Sequence, residues 1–206
     1  MNESDKEKQK GQTRSIQNDE RRRSLIQATY QLIAERGIEH LRTRDIAMQA
    51  GVNIATLHYH FTSKEDLIGS VVDYLLQVFD TPPPSVLELA SATAWDRIQS
   101  MFLGIEYRLR ATPELFVVLS EFALRSTHSP FIQPALKRLD EVWSSYIKEV
   151  IVDGIRQGQF HADLDPESTT HALLIVLKGA IFHQVTSGET LDFMNLLKEV
   201  EPILLS

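Results

Sequence analysis

The side chains with most chemistry to offer lie between Thr43 and Lys64, where hydroxyls, imidazoles, a carboxamide, a phenol and an ammonium interleave with apolar residues. Groups of this kind exchange hydrogen bonds with phosphate oxygens and base edges. His58 and His60 do not make a metal pair, because residues two apart on a helix point about 200° from each other and chelation needs spacings of three or four. His161, Asp163 and Asp165 could ligate a cation from one loop, but an aspartate capping the next helix is the better reading. His128, His171 and His183 have no partners that spacing brings to them. Nucleophile elbow, zinc-protease helix, phosphate loop and dinucleotide fingerprint are all missing from the sequence, so no catalytic residue, metal or cofactor is assigned and the chain is read as not an enzyme.

A surface that reads duplex DNA must be held by short helices, and the residues around Thr43–Lys64 supply them. From about Asn18, Leu25, Ala28/Thr29, Leu32 and Ile33 recur at helical spacing, and Gly37 can end that helix. Thr43 offers a cap for Arg44–Ala50, Gly51 a tight turn, and Asn53 a cap for a third helix over Ile54–His60. Leu57 and Phe61, four apart, turn inward and leave Ala55, Thr56, His58, Tyr59 and His60 outside. Ser63-Lys64-Glu65-Asp66 reads as a capping box for a fourth helix whose buried side is Leu67, Val71, Tyr74 and Leu75. Two helices meeting at a glycine turn form a helix-turn-helix, here over about 42–61.

Charge divides the chain in the same place. Residues 1–64 hold eleven Lys/Arg against eight Asp/Glu, while 65–206 hold ten against twenty, for a net charge of −7. A polyanion would meet the first part and be repelled by the second. Residues 1–18 are read as a disordered polar tail, and Arg21-Arg22-Arg23 either as a solvated face or as a phosphate or minor-groove contact. The lack of cysteine fits a reducing compartment, and no apolar run reaches the length of a signal peptide or membrane span, so a cytoplasmic protein without membrane contact is expected.

After Pro82-Pro83-Pro84 the pattern is helical throughout: about 94–111, opened by Thr93-x-x-Asp96; 113–126, with Pro113 in its first turn; 130–157, closed by Gly158; 166–186, opened by Asp165-Pro166; and 191–204. The fold class is all-α: an N-terminal three-helix DNA-binding module with a helix-turn-helix, then a larger helical domain. Residues 168–185 are apolar nearly all round, and the last helix adds another apolar stripe. Together they exceed what one body hides, so Leu174, Ile175, Phe182, Phe193 and Leu197 are assigned to a homodimer interface.

The runs Thr43-Arg44-Asp45-Ile46-Ala47, Ala50-Gly51-Val52, Thr56-Leu57-His58-Tyr59-His60-Phe61 and Ser63-Lys64-Glu65-Asp66-Leu67 resemble the signature of the TetR family of bacterial regulators. The resemblance covers about residues 19–79, leaving 80–206 as an effector-binding and dimerisation domain. It implies that Thr43 and Arg44 open the helix near the DNA backbone, that Asn53, Ile54, Ala55, Thr56 and His58 enter the major groove, and that Tyr59, His60 and Lys64 hold phosphates. The position of His58 is most often tyrosine in the family, so the operator sequence does not carry over. Trp95, Phe102, Tyr107, Phe116, Phe122, Trp143 and Tyr146 read residue by residue as ordinary core, and the resemblance makes them candidate pocket wall for a small, partly apolar effector. The leading function is a repressor released from its operator by that effector. An activator or effector-independent regulator is the alternative, and a ligand carrier or enzyme body fused to a DNA-binding module a remote one.

Overall fold

A computed structural model describes residues 3–80, 93–130 and 132–205. The polyproline run lies outside them. Nine α-helices occupy the described residues: α1 Glu3–Arg36, α2 Thr43–Gln49, α3 Ile54–His60, α4 Lys64–Asp80, α5 Ala94–Ala111, α6 Pro113–Ser126, α7 Ile132–Arg156, α8 Pro166–Ser187 and α9 Phe193–Leu204, with a 3-10 turn at Ile38–His40. The described residues form no strand, only a one-residue antiparallel bridge between Phe160 and Leu205. The chain divides into two compact units, Met1–Leu75 and Leu76–Ser206.

In the first unit, Leu25, Ile33, Ile46, Leu67 and Val71 are fully enclosed, the inward positions that helical spacing selects. Thr29 is buried with them and is satisfied locally, its hydroxyl donating to the Leu25 carbonyl at 2.7 Å. Two sequence expectations are corrected here. The tail over 1–18 does not stay apart from the first helix, since α1 runs back to Glu3. Its polar start is rich in Lys, Glu and Gln, good helix formers, and extending a helix already nucleated by its buried half costs little. Thr43 is the first residue of α2 and not its cap; Arg42 holds that place in extended conformation with no side-chain hydrogen bond.

The second unit follows its capping signals closely. Thr93 Oγ1 accepts from the Asp96 amide at 3.1 Å while the Asp96 carboxylate accepts from the Thr93 amide at 2.8 Å, a reciprocal box. Those hydrogen bonds hold the Asp96 carboxyl below its usual range. Asp165 likewise accepts from the Ser168 amide at 2.9 Å and opens α8, so in the His161–Asp165 loop the capping role is the one the geometry fills.

Helix α7 packs on α5, α6 and α8, and α9 closes over α5, where Phe102 and Phe193 meet edge to face at 6.4 Å. At the end of α7 the chain reverses at Gly158, φ 69°. Phe160 then folds back over Gly154, where a Cβ would overlap its ring. The bridge to Leu205 and the His161 amide, which donates to the Leu204 carbonyl at 3.0 Å, join this turn to the end of α9.

The assigned dimer face is corrected in part. Phe193, Leu197 and Leu174 are 0%, 1% and 6% exposed within the single chain, so they cannot line an interface with another copy. An amphipathic stripe reports that a face is buried, not what buries it, and the α9 stripe is spent on α5. Ile175 and Phe182 are 70% and 52% exposed. With Ala172, Gly179 and Thr186 they make an exposed row on α8 at alternating spacings of three and four.

Candidate nucleic-acid interface and body cleft

The turn between α2 and α3 owes its shape to Gly51, whose φ of 67° is readily adopted only by glycine. Just after it the Val52 amide donates to the Ala47 carbonyl at 2.9 Å, which ties the turn back onto α2. Asn53 Oδ1 then accepts from both the amide and the hydroxyl of Thr56, at 2.8 and 3.0 Å. The same acceptor thereby starts α3 and orients the Thr56 side chain. Leu57 and Phe61 are buried, and they fix the rotation of α3 on its neighbours.

That rotation leaves Asn53, Ile54, Ala55, His58 and Tyr59 exposed and Thr56 and His60 half-buried. Tyr59, 76% exposed, stands edge to face with His60 at 5.2 Å. Burial, then the charges of Arg22 and Arg21, hold the His60 imidazole below the ordinary histidine range, with Asp19 pulling the other way. Arg44 is exposed and Thr43 half-buried at the start of α2. Lys64 is half-buried, and its ammonium donates to the Ile38 carbonyl at 3.4 Å, linking the start of α4 to the 3-10 turn.

Sequence reasoning missed two features of this face. Arg22 is a packing residue, its guanidinium 5.1 Å above the Phe61 ring and donating to Ser70 Oγ at 2.9 Å. Neighbouring Arg21 instead lines an open groove of about 770 Å³ shared by α1 and α3. Both arginines are exposed; helical periodicity separates them by about 100°, but nothing in their local sequence says which one lies over Phe61.

The second unit contains an open cleft of about 740 Å³. Phe79, Phe116 and Trp143 form its aromatic wall, Phe79 lying 5.8 Å from Phe116 and 5.5 Å from Trp143, both edge to face. Leu174, Ile181 and Phe182 of α8 face them, and Gln133, Lys137, Asp140 and Lys178 give it a polar rim. Lys178 Nζ and Asp140 Oδ1 pair across that rim at 2.7 Å.

Of the seven aromatic residues assigned to a pocket, Phe116 and Trp143 reach this cleft and five do not. Phe102 and Phe122 are fully buried core. Tyr107 is exposed, Trp95 is half-buried on α5, and Tyr146 sits under the Arg97 guanidinium at 5.4 Å. Phe79, Leu174 and Phe182 belong to the cleft unforeseen, because its walls come from α4, α6, α7 and α8, which no single sequence window spans.

A family model described as bacterial regulatory proteins of the tetR family matches residues 25–71. The chain is 30% identical over 166 residues to the HTH-type transcriptional repressor KstR2 of Rhodococcus jostii, covering 71% of each. It is 28% identical over 161 residues to the repressor DhaR of a Mycobacterium species, covering 78% of this chain and 80% of that one. Among solved structures, a putative TetR-family regulator from a Rhodococcus species superposes with a TM-score of 0.80 at 25% identity, over 91% of this chain and all of that one. A putative regulator from Saccharomonospora viridis in complex with choline does so with a TM-score of 0.78 at 25% identity, over 90% and 97%.

Proposed function

The chain belongs to the TetR family of bacterial transcriptional regulators, and from that premise we propose that it acts as a homodimeric repressor released from operator DNA by a small, partly apolar effector. DNA binding lies with the first unit, with Asn53, Ile54, Ala55, Thr56 and His58 directed to the major groove and Tyr59 and His60 to phosphates, while Thr43 and Arg44 approach the backbone. Lys64 serves the fold first and a phosphate only with the N–H donors left over. The remaining described part of the chain, with residues 80–206 as its domain, is the effector-binding and dimerisation body.

The observation that carries the repressor reading is the body cleft. Its volume falls in the range of small-molecule sites, its walls are aromatic and aliphatic, and its polar groups gather at the rim. A ligand with a large apolar body and one polar end suits it, whereas a small cation such as choline would leave most of it empty. Phe182 belongs both to the cleft wall and to the exposed row on α8. Gly179 in that row has open space where a side chain would stand, which lets a second α8 approach closely. An occupant pressing on Phe182 therefore acts on the face that pairs two copies and sets the spacing of two readers. Release requires the effector to favour the DNA-incompetent arrangement, by a coupling of typically about 1–3 kcal/mol.

The test uses Trp143, the only tryptophan left in a Trp95→Phe variant. A long-chain acyl-CoA, a steroid carboxylic acid and choline serve as probes of different size and charge, with anisotropy of a duplex selected from a random pool read in parallel. Repression by release predicts that a probe perturbing Trp143 also weakens duplex binding about fivefold or more. A probe that occupies the cleft with no change in duplex affinity leaves an effector-independent regulator as the better reading. No helix among the described residues is long and apolar enough to cross a membrane.

A further inference from the structure

The groove between α1 and α3 shares its α3 side with the residues already assigned to DNA, but its α1 side has no part in the helix-turn-helix reading, and its lining is specific. From α1 come Ser15, Gln17, Asn18 and Arg21; from the cap and body of α3 come Asn53, Ala55, Thr56, Tyr59 and His60. Apart from one methyl group, every lining side chain carries a hydrogen-bonding group, and Arg21 is the one permanent charge among them. Carboxylates are missing from this lining, although Asp19 and Glu20 lie on the same stretch of α1 and are exposed. The neighbouring arginines sort by geometry: Arg22 is committed to Phe61 and Ser70, and Arg23 is exposed outside the groove.

We propose that this groove seats a phosphodiester strand of the DNA read by α3, with Arg21, Asn18 and Ser15 of α1 holding the phosphates opposite Tyr59. A phosphate oxygen accepts hydrogen bonds and never donates, and this lining offers it guanidinium, carboxamide and hydroxyl donors around one positive charge. A free anion would find the site too open to hold it. A strand already positioned by α3 in the major groove needs only this kind of shallow, donor-rich wall. The field of Arg21 reaches the groove, since it adds to the burial and the Arg22 charge that hold the His60 imidazole below its ordinary range. The α1 extension thus gives the reader a second, sequence-independent grip, and the divided roles of three consecutive arginines follow from it.

The experiment titrates the full-length protein against a random-sequence duplex over a range of salt. Arg21→Ala should weaken binding several-fold at low salt and lower the slope of log affinity against log salt by about one for each reader engaged. Arg23→Ala should leave the slope at its wild-type value. Asn18→Asp, which puts a like charge against the phosphate, should weaken binding at least as much as Arg21→Ala, and it reads the same groove if the arginine variant fails to fold. An unchanged slope for Arg21→Ala overturns the proposal. So does an equal fall for Arg23→Ala, which would mean diffuse charge and no seat. A loss confined to A·T-rich duplex would place Arg21 in the minor groove and equally overturn it.

Discussion

The reader and the body of this chain are both all-helical, yet they are specified by different kinds of information. In the reader, the turn glycine, the cap of α3, the inward pair Leu57 and Phe61 and the exposed polar groups fall within a few helical turns of one another in sequence. Local spacing therefore sets both the fold and the surface that it presents. In the body, one cleft draws walls from α4, α6, α7 and α8. Its composition is a property of packing, and phenylalanine alone serves as core at Phe102, as cleft wall at Phe116 and as a partly exposed side chain at Phe182.

The largest expected effect sharpens that contrast. Phe102→Ala, deep in the body against Phe193, should cost the body about 3–5 kcal/mol. Denaturation followed by tryptophan fluorescence reports it, because Trp95 and Trp143 both lie in the body. Hydrogen exchange at the Leu57 amide should keep its wild-type protection, and a parallel loss there would mean that the two units are not separately stabilised. Next in size, Ile175→Glu with Phe182→Glu should give monomers in sedimentation and lower operator affinity by about a hundredfold or more, because two linked readers bind with avidity that one lacks. Dimers persisting in that variant would remove α8 from the interface. The unmodified dimer should also protect a near-palindromic site with half-sites one DNA turn or a multiple apart, roughly 34–36 Å per turn.

Smaller effects probe the reader. His58→Ala should change which bases are preferred and cost about 1–3 kcal/mol on the cognate site alone; a uniform loss on all duplexes would take His58 out of the groove. The smallest concerns His60. Its pKa in the folded reader lies below the ordinary value, so the unfolded chain binds the proton more readily. Reader stability is complete above about pH 6.5 and declines as pH falls below it towards the folded value. His60→Gln should remove that part of the decline, seen as a smaller difference in melting temperature between about pH 7.5 and about pH 5.5. An unaltered difference would mean that another group carries the acid sensitivity.

What was legible in the sequence follows the same division. Caps at Asn53, Thr93 and Asp165, glycine reversals at Gly51 and Gly158, and all helices beyond α1 within a few residues were readable because each signal acts over one turn. The extension of α1 to Glu3 was not, since propagation from a buried segment leaves no mark on the polar residues that it carries along. Arg22 on Phe61 and Lys64 on Ile38 were also hidden: each joins residues far apart in the chain, and a basic residue near a DNA-reading helix looks the same whether it serves phosphate or fold. On α9, hydrophobic spacing correctly marked Phe193 and Leu197 for burial but gave no sign that α5, and not a second copy, would cover them.

The join between the Phe160 turn and the end of α9 bears on how the protein is made. A ribosome delivers the residues of the reader first, and these contain every contact of the α2–α3 turn and its core. The body has no such early completion. Phe102 on α5 waits for Phe193, and Phe160 waits for Leu205, just past the end of α9. Until then an apolar face of α5 stays open to solvent and to other nascent chains, the condition under which partly made domains aggregate or recruit chaperones. Truncation within α9 should therefore show itself first as poor yield of soluble protein, before any assay of DNA or ligand could register it.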